Sequence, residues 1–262
     1  MEILGYALTI VIGLLVGLFG GGGSILTVPV LVYLFAIPAT LSTTYSLALV
    51  SITSLLASFS HIANNNLSYK RIFLFGLPSL LSLYVVRAYL VPAIPISFQL
   101  FDFEIEKDIF MMIFFSFLML IAGFFMIRKR KEMSETDNNN YNSISLILSG
   151  FSEGLVTGIV GAGGGFIIVP VLMIFGKLNL KQAVGNSLFI IGFKSMIGFL
   201  GSNDISALNY IFLIKILAIA LLGMYFGIQL NKKFNAQQLK PLFGYFVLLM
   251  GFVILIKEII LT

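Results

Sequence analysis

The chain has no cysteine and little charge. Zero cysteines among 262 residues exclude disulfides and thiolate metal sites. Only 10% of residues are Asp, Glu, Lys or Arg, where a soluble domain carries roughly 25%. With 59% hydrophobic residues and a mean hydropathy of +1.05, a water-soluble globule is excluded and an integral membrane protein is expected. Alternating ten-residue strands are also missing. The apolar sequence comes in helix-length runs, which excludes an outer-membrane barrel and leaves a helical bundle. The glycine run Gly20 to Gly23 lacks the Lys-Ser/Thr of a phosphate-binding loop, so no ATP hydrolysis is expected. No metal-ligand cluster and no nucleophile elbow appears, so no enzyme activity, metal or cofactor is expected. The amino terminus, Met1 to Gly5, has an acid where a signal peptide needs bases and no small-x-small cleavage site follows, so the first apolar segment should be retained. The net charge of +5 resides mostly in short loops, where it reports orientation and not a nucleic-acid partner.

What is present is a duplication. Gly17 to Leu31 reads GLFGGGGSILTVPVL, and Gly158 to Leu172 reads GIVGAGGGFIIVPVL, 141 residues later. The register runs without a gap from Gly13/Gly154 past Ser46/Ser187 to Ser54/Ser195. Ten apolar segments follow, at about 3–19, 24–36, 41–61, 72–92, 109–127, 145–161, 165–176, 181–201, 208–230 and 239–257. The charged, Asn-rich stretch after Arg128 divides them. The expected organisation is a first transmembrane repeat at 1–127, a linker at 128–143 and a second repeat at 144–262.

Basic residues favour the cytoplasmic side, so Arg128 to Lys131 place the linker inside. Lys70-Arg71, Lys177/Lys181 and Lys232/Lys233/Lys240 then fall inside, and the loops of Asp102 to Asp108 and Asp204 fall outside. Both termini come out external. Five segments per half is an odd number, so the second copy enters the membrane from the opposite side and the repeats are inverted. Segments 24–36 and 165–176 hold 12 or 13 residues, roughly 18–20 Å of helix against a hydrocarbon core of about 30 Å. They are expected to be broken or re-entrant hairpins whose glycine tips meet near the midplane. Pro29 and Pro170 support this, each freeing the carbonyl four residues earlier, at Ile25 and Phe166. The fold class is therefore an all-α polytopic membrane protein.

Consecutive glycines let a ligand approach the main chain, and each run opens a helix whose first amides lack internal partners. Two facing tips, Gly20, Gly21, Gly22, Gly23 and Ser24 in one copy and Gly161, Gly163, Gly164 and Gly165 in the other, suit an oxyanion. Close packing through small residues is the alternative. The following segments are polar in corresponding places: Thr43, Thr44, Tyr45, Ser46, Thr53 and Ser54 in the first copy, and Asn186, Ser187, Lys194 and Ser195 in the second. Asn186, Ile190, Lys194 and Gly198 share one helix face, expected to look at the cavity. Lys194 is read as the counter-charge for an anion, with snorkelling or a structural ion pair as the alternatives. Glu153 carries a coupling proton or pairs with a cation. Arg87 and Lys215, at a similar depth to Lys194, form a basic vestibule that concentrates anions or snorkel to the outer interface. His61 sits at the interface or relays protons.

These phrases, with Ala183-Val-Gly-Asn-Ser-Leu188 and His61 before a short polar turn, resemble the TauE/SafE family of sulfite and organosulfonate exporters over nearly the whole chain. The resemblance implies an inner-membrane carrier of sulfur-containing anions driven by the proton-motive force. It also implies that the glycine tips and Asn186/Ser187 line the site. The chain departs from the family pattern at Tyr84-Val-Val-Arg-Ala-Tyr-Leu-Val-Pro92, where the second half keeps Gly223-Met-Tyr-Phe-Gly227, and at Thr44-Tyr45-Ser46 against Gly185-Asn186-Ser187. The expected function is secondary transport of a small anion by alternating access, one repeat rocking against the other. A passive anion channel and a membrane accessory subunit are the alternatives. The expected partners are the anion and the lipid bilayer, with a homo-oligomer left open.

Overall fold

The computed structural model describes residues 2–19, 22–63, 67–100, 103–127, 141–161, 163–233 and 236–261. Gly20, Gly21, most of the linker and Asp102 lie outside the described residues. Helix α1, Glu2–Phe19, is followed by a 3-10 turn, Gly22–Leu26, and by α2, Thr27–Phe35. Next come α3, Ala39–Ala63, and α4, Tyr69–Val85, which runs through a π turn, Val86–Leu90, into the short α5, Val91–Ala93. Helix α6, Lys107–Ile127, ends the first half. The second half contains α7, Ser143–Val160; α8, Gly165–Ile174; α9, Leu180–Leu200; a 3-10 turn, Asn203–Ala207; α10, Tyr210–Lys233; and α11, Ala236–Leu261. Seven helical spans among the described residues are long and apolar enough to cross a membrane.

The starts of α1 and α7 (Glu2, Ser143), of α3 and α9 (Ala39, Leu180), and of α4 and α10 (Tyr69, Tyr210) each stand 141 residues apart. The stops correspond as well. Helix α2 ends at Ala36 in the left-handed region (φ 53°), with Ile37 N–H donating to Leu31 carbonyl. Beyond α8, Lys177 takes the same conformation (φ 52°) and Leu178 N–H donates to Leu172 carbonyl.

Helices α2 and α8 have 9 and 10 residues, about 14–15 Å of helix, too short to cross the hydrocarbon. Helix α2 turns back along α1. A methyl group on Gly23 would fall 2.7 Å from Ile12 carbonyl and from Val16 nitrogen, and one on Gly5 would fall 2.5 Å from the Phe35 ring. Pro29 lies in the first turn of α2 and Pro170 inside α8, so only the second interrupts a helix that has already formed.

Lipid gives helices no hydrophobic reason to associate, so small residues that admit backbone contact carry the packing. Helix α1 packs on α10, α4 on α7, α3 on α9 and α6 on α11. Where α1 meets α10, a methyl group on Gly13 would lie 1.9 Å from Ala220 carbonyl, and one on Gly223 2.1 Å from Ile10 carbonyl. On α7, a methyl group at Gly150 would lie 2.3 Å from Phe75 carbonyl, and one at Gly154 2.1 Å from Ser79 carbonyl. Part of the repeated glycine pattern therefore serves packing, the alternative reading of those residues.

The helical architecture carries one addition to the sequence reading. Strands β1, Ser97–Leu100, and β2, Phe103–Glu106, pair antiparallel, with Ser97 opposite Glu106. Apolar Phe98, Leu100, Phe103 and Ile105 alternate with Ser97, Gln99, Glu104 and Glu106, the two-residue period of a strand. Pro92 and Pro95 close the preceding helix.

Candidate functional site

The second glycine tip is built by backbone conformation. Gly161, Gly163 and Gly164 have φ of 66°, 69° and 77°, a region other residues rarely enter. Gly161 caps α7, its N–H donating to Thr157 carbonyl at 2.9 Å, and the carbonyl of Gly164 accepts from Ile167 and Ile168 as α8 begins. The tip lies among α3, α7 and α9. A methyl group on Gly161 would meet Thr43 Cβ at 2.4 Å, one on Gly163 would meet Val50 Cγ1 at 2.6 Å, and one on Gly164 would meet Glu153 Oε1 at 2.1 Å. Helix α8, which the second tip opens, packs on the 3-10 turn Gly22–Leu26 of the first half.

Against Gly164 sits a buried charge network. Lys194 Nζ donates to Glu153 Oε1 at 2.5 Å and to Thr157 Oγ1 at 3.0 Å. Glu153 Oε2 accepts from Ser79 Oγ at 2.5 Å. Lys194 is 0% exposed and Glu153 3%. The carboxylate thus lies beside the start of α8, the end of a helix that favours negative charge. In the first half the positions 141 residues earlier are Ile12, Val16 and Thr53, so the network belongs to one hairpin only.

Helices α3 and α9 cross antiparallel beside the tips, with Leu55 against Gly192 and His61 against Gly185. Among the described residues, buried hydroxyls at Thr27, Thr44, Ser46, Ser54 and Ser195 have no hydrogen-bond partner. Ser195 Oγ would lie 3.3 Å from a methyl group on Gly163. Buried hydroxyls without partners are uncommon in a native fold. Ser54 and Ser195 occupy corresponding places in the two central helices.

Gly22 and Gly23 open the 3-10 turn, and Ser24 is buried within it. Tyr45 is buried, and its hydroxyl accepts the N–H of Asn209 at 2.6 Å at the head of α10. Asn186 accepts the N–H of Ser68 at 2.9 Å and holds the segment before α4, and Ser187 donates to Val184 carbonyl at 2.8 Å in its own helix. The face of Asn186, Ile190, Lys194 and Gly198, expected to look at a cavity, packs against α4, with Ile190 at Gly76 and Gly198 at Leu83. Only Lys194 on that face reaches the tip. Arg87 is 2% exposed and donates to Thr43 Oγ1 at 2.7 Å, whereas Lys215 is exposed on α10. The two therefore share no vestibule, because the π turn after α4 points one inward and α10 turns the other out. Sequence reasoning missed Ser79 and Thr157. Thr157 was readable as the residue four beyond Glu153 on α7, but Ser79 gives no local signal.

Spanning helices, two short helices opened by glycines, and a buried charge pair at the tip define a polytopic helical membrane protein with a charged centre. A family model described as sulfite exporter TauE/SafE matches residues 6–254, and the chain belongs to that family. It is 27% identical to a probable membrane transporter protein of Methanocaldococcus jannaschii, over 94% of this chain and 92% of that one. It is 26% identical to a probable membrane transporter protein of Haemophilus influenzae, over 94% of each chain. Probable membrane transporter protein YdhB of Bacillus subtilis is 24% identical, over 82% of this chain and 84% of that one. No solved structure matches.

Proposed function

We propose that the protein is a proton-coupled secondary carrier, working as an exporter, of a small anion of the sulfite or organosulfonate class. The observation that carries this reading is the Glu153 carboxylate lying against Gly164 at the start of α8 while it neutralises Lys194. The protein's own anion occupies the place where a substrate anion would be favoured. Protonation of Glu153 removes that negative charge, leaving Lys194 and the α8 terminus to an incoming oxyanion. When the substrate departs, Glu153 gives up its proton and pairs with Lys194 again, so anion and proton cross in the same direction: export runs down the anion's own outward gradient, and an imposed inward proton gradient drives the same cycle as uptake. Ser79 and Thr157 hold the two charged groups in register. The unpartnered hydroxyls of Ser54 and Ser195 line the route between α3 and α9.

The 141-residue spacing and the matching helix stops support two inverted repeats, 1–127 and 144–262. The loop charges support an inner-membrane chain with both termini external and the linker cytoplasmic. The test is purified protein in liposomes with an imposed pH gradient. The expected result is accumulation of sulfite above its equilibrium level, abolished by Glu153→Gln. Flux proportional to driving force, with no proton movement, would instead identify a passive anion channel. No flux from protein reconstituted alone would point to an accessory subunit.

A further inference from the structure

We infer that Arg87 and Thr43 form a second anion subsite, next to the glycine tip on the side of strands β1 and β2. The inference rests on the carrier reading and extends it to where the anion is held before or after the central position. Arg87 lies in the π turn Val86–Leu90. Such a turn adds a residue to the helical round and recurs at functional sites. The side chain is 2% exposed. Its Nη2 donates to Thr43 Oγ1, while its Nε has no partner. Among the described residues no acid pairs with it within the 4.0 Å of an ion pair, the Lys194–Glu153 contact being the salt bridge found. Asp204, in the turn Asn203–Ala207, is the acid whose charge reaches it. A buried cation with a free donor and no paired carboxylate matches a bound anion better than it matches a structural role. The guanidinium fork stays charged at any working pH and fits two oxygens of one oxyanion.

The subsite connects to the central one through one helix. Thr43 touches Gly161, and Val50, seven residues further along α3, touches Gly163, about 10 Å of helix. Thr40 Oγ1 and N–H both bind Asp108 at the head of α6, and Lys107 Nζ donates to Val91 carbonyl. The Arg87 end is therefore the end that carries strands β1 and β2. The first half has the arginine and the second has Ile228 at the corresponding position, so the two approaches to the centre differ in charge.

The full chain is purified as wild type, Arg87→Gln, Arg87→Lys and Asp204→Asn. Sulfite flux in liposomes and sulfite-dependent thermal stabilisation in detergent are both measured. The expected result for R87Q is a KM raised tenfold or more with kcat changed less than threefold, and loss of most of the stabilisation. D204N should leave KM unchanged or lower it. A KM for R87Q within twofold of wild type overturns the inference. A D204N variant that reproduces the R87Q rise also overturns it, because the arginine would then act through Asp204. If R87Q does not survive purification, R87K decides: its KM must rise, and an unchanged KM overturns the subsite. Stabilisation by sulfite that depends on Arg87 without flux from the wild type keeps the subsite and refutes the carrier. Flux that is indifferent to Arg87 does the reverse.

Discussion

Removing the charge of Glu153 alone separates electrostatics from packing at the tip. Glu153→Gln keeps the shape: the amide oxygen can still accept from Lys194 Nζ, and the amide nitrogen faces Ser79 Oγ, the two contacts now at 2.5 Å. What is lost is the negative charge beside a fully buried ammonium. Leaving one member of a buried pair uncompensated costs about 3–5 kcal/mol, roughly a 100- to 4,000-fold fall in the folded-to-unfolded ratio. Lys194→Met strands the carboxylate instead and should cost a similar amount. The double variant E153Q/K194M contains no stranded charge and should be more stable than either single variant, with an interaction energy of roughly 3 kcal/mol, the upper end for contacting residues. Reversible melts of the four proteins in one detergent give these values. If the two single losses add to within about 0.5 kcal/mol, the side chains do not neutralise one another and the reasoning fails. A stable double variant that moves no anion separates the pair's role in transport from its role in folding.

Gly164→Ala should lose transport and about 1–3 kcal/mol of stability, because φ is 77° and the new methyl would lie 2.1 Å from Glu153 Oε1; flux at the wild-type rate would count against the tip as the site. Gly223→Val should instead lower the yield of folded protein, since its side chain would enter Ile10 carbonyl on α1; a normal melt with normal yield refutes that packing role. Tyr45→Phe removes the acceptor of Asn209 N–H and should cost roughly 1–3 kcal/mol with KM unchanged. A raised KM at unchanged stability would return Tyr45 to the substrate path.

Helices and hairpins were legible because hydropathy and glycine position are local properties. Segments 24–36 and 165–176 could be recognised as too short to cross from residue counts alone, and α2 and α8 are indeed short. Partnership was not legible. Glu153 and Lys194 are 41 residues apart, and each alone was open to several readings. Only the packing of α7 and α9 on α4, which brings the two side chains together at the tip, decides between them. Tyr45, Asn186 and Ser187 looked alike as polar residues near a tip, yet their hydroxyl and amide groups are engaged with backbone. Direction around a helix axis depends on neighbours that the local sequence does not name. The strand alternation at 97–106 was present in the sequence but lay in a stretch short enough to pass for a loop.

The glycine seams decide which parts can slide. Helix α1 is locked at backbone distance to α10, and α7 to α4, so each locked couple joins an early helix to a late one. Any gate that opens must carry these couples whole, and neither half of the polypeptide can swing free of the other. The moving parts are thus cross-braced, and severing the chain at the linker should leave two fragments that work only when both are made in the same cell.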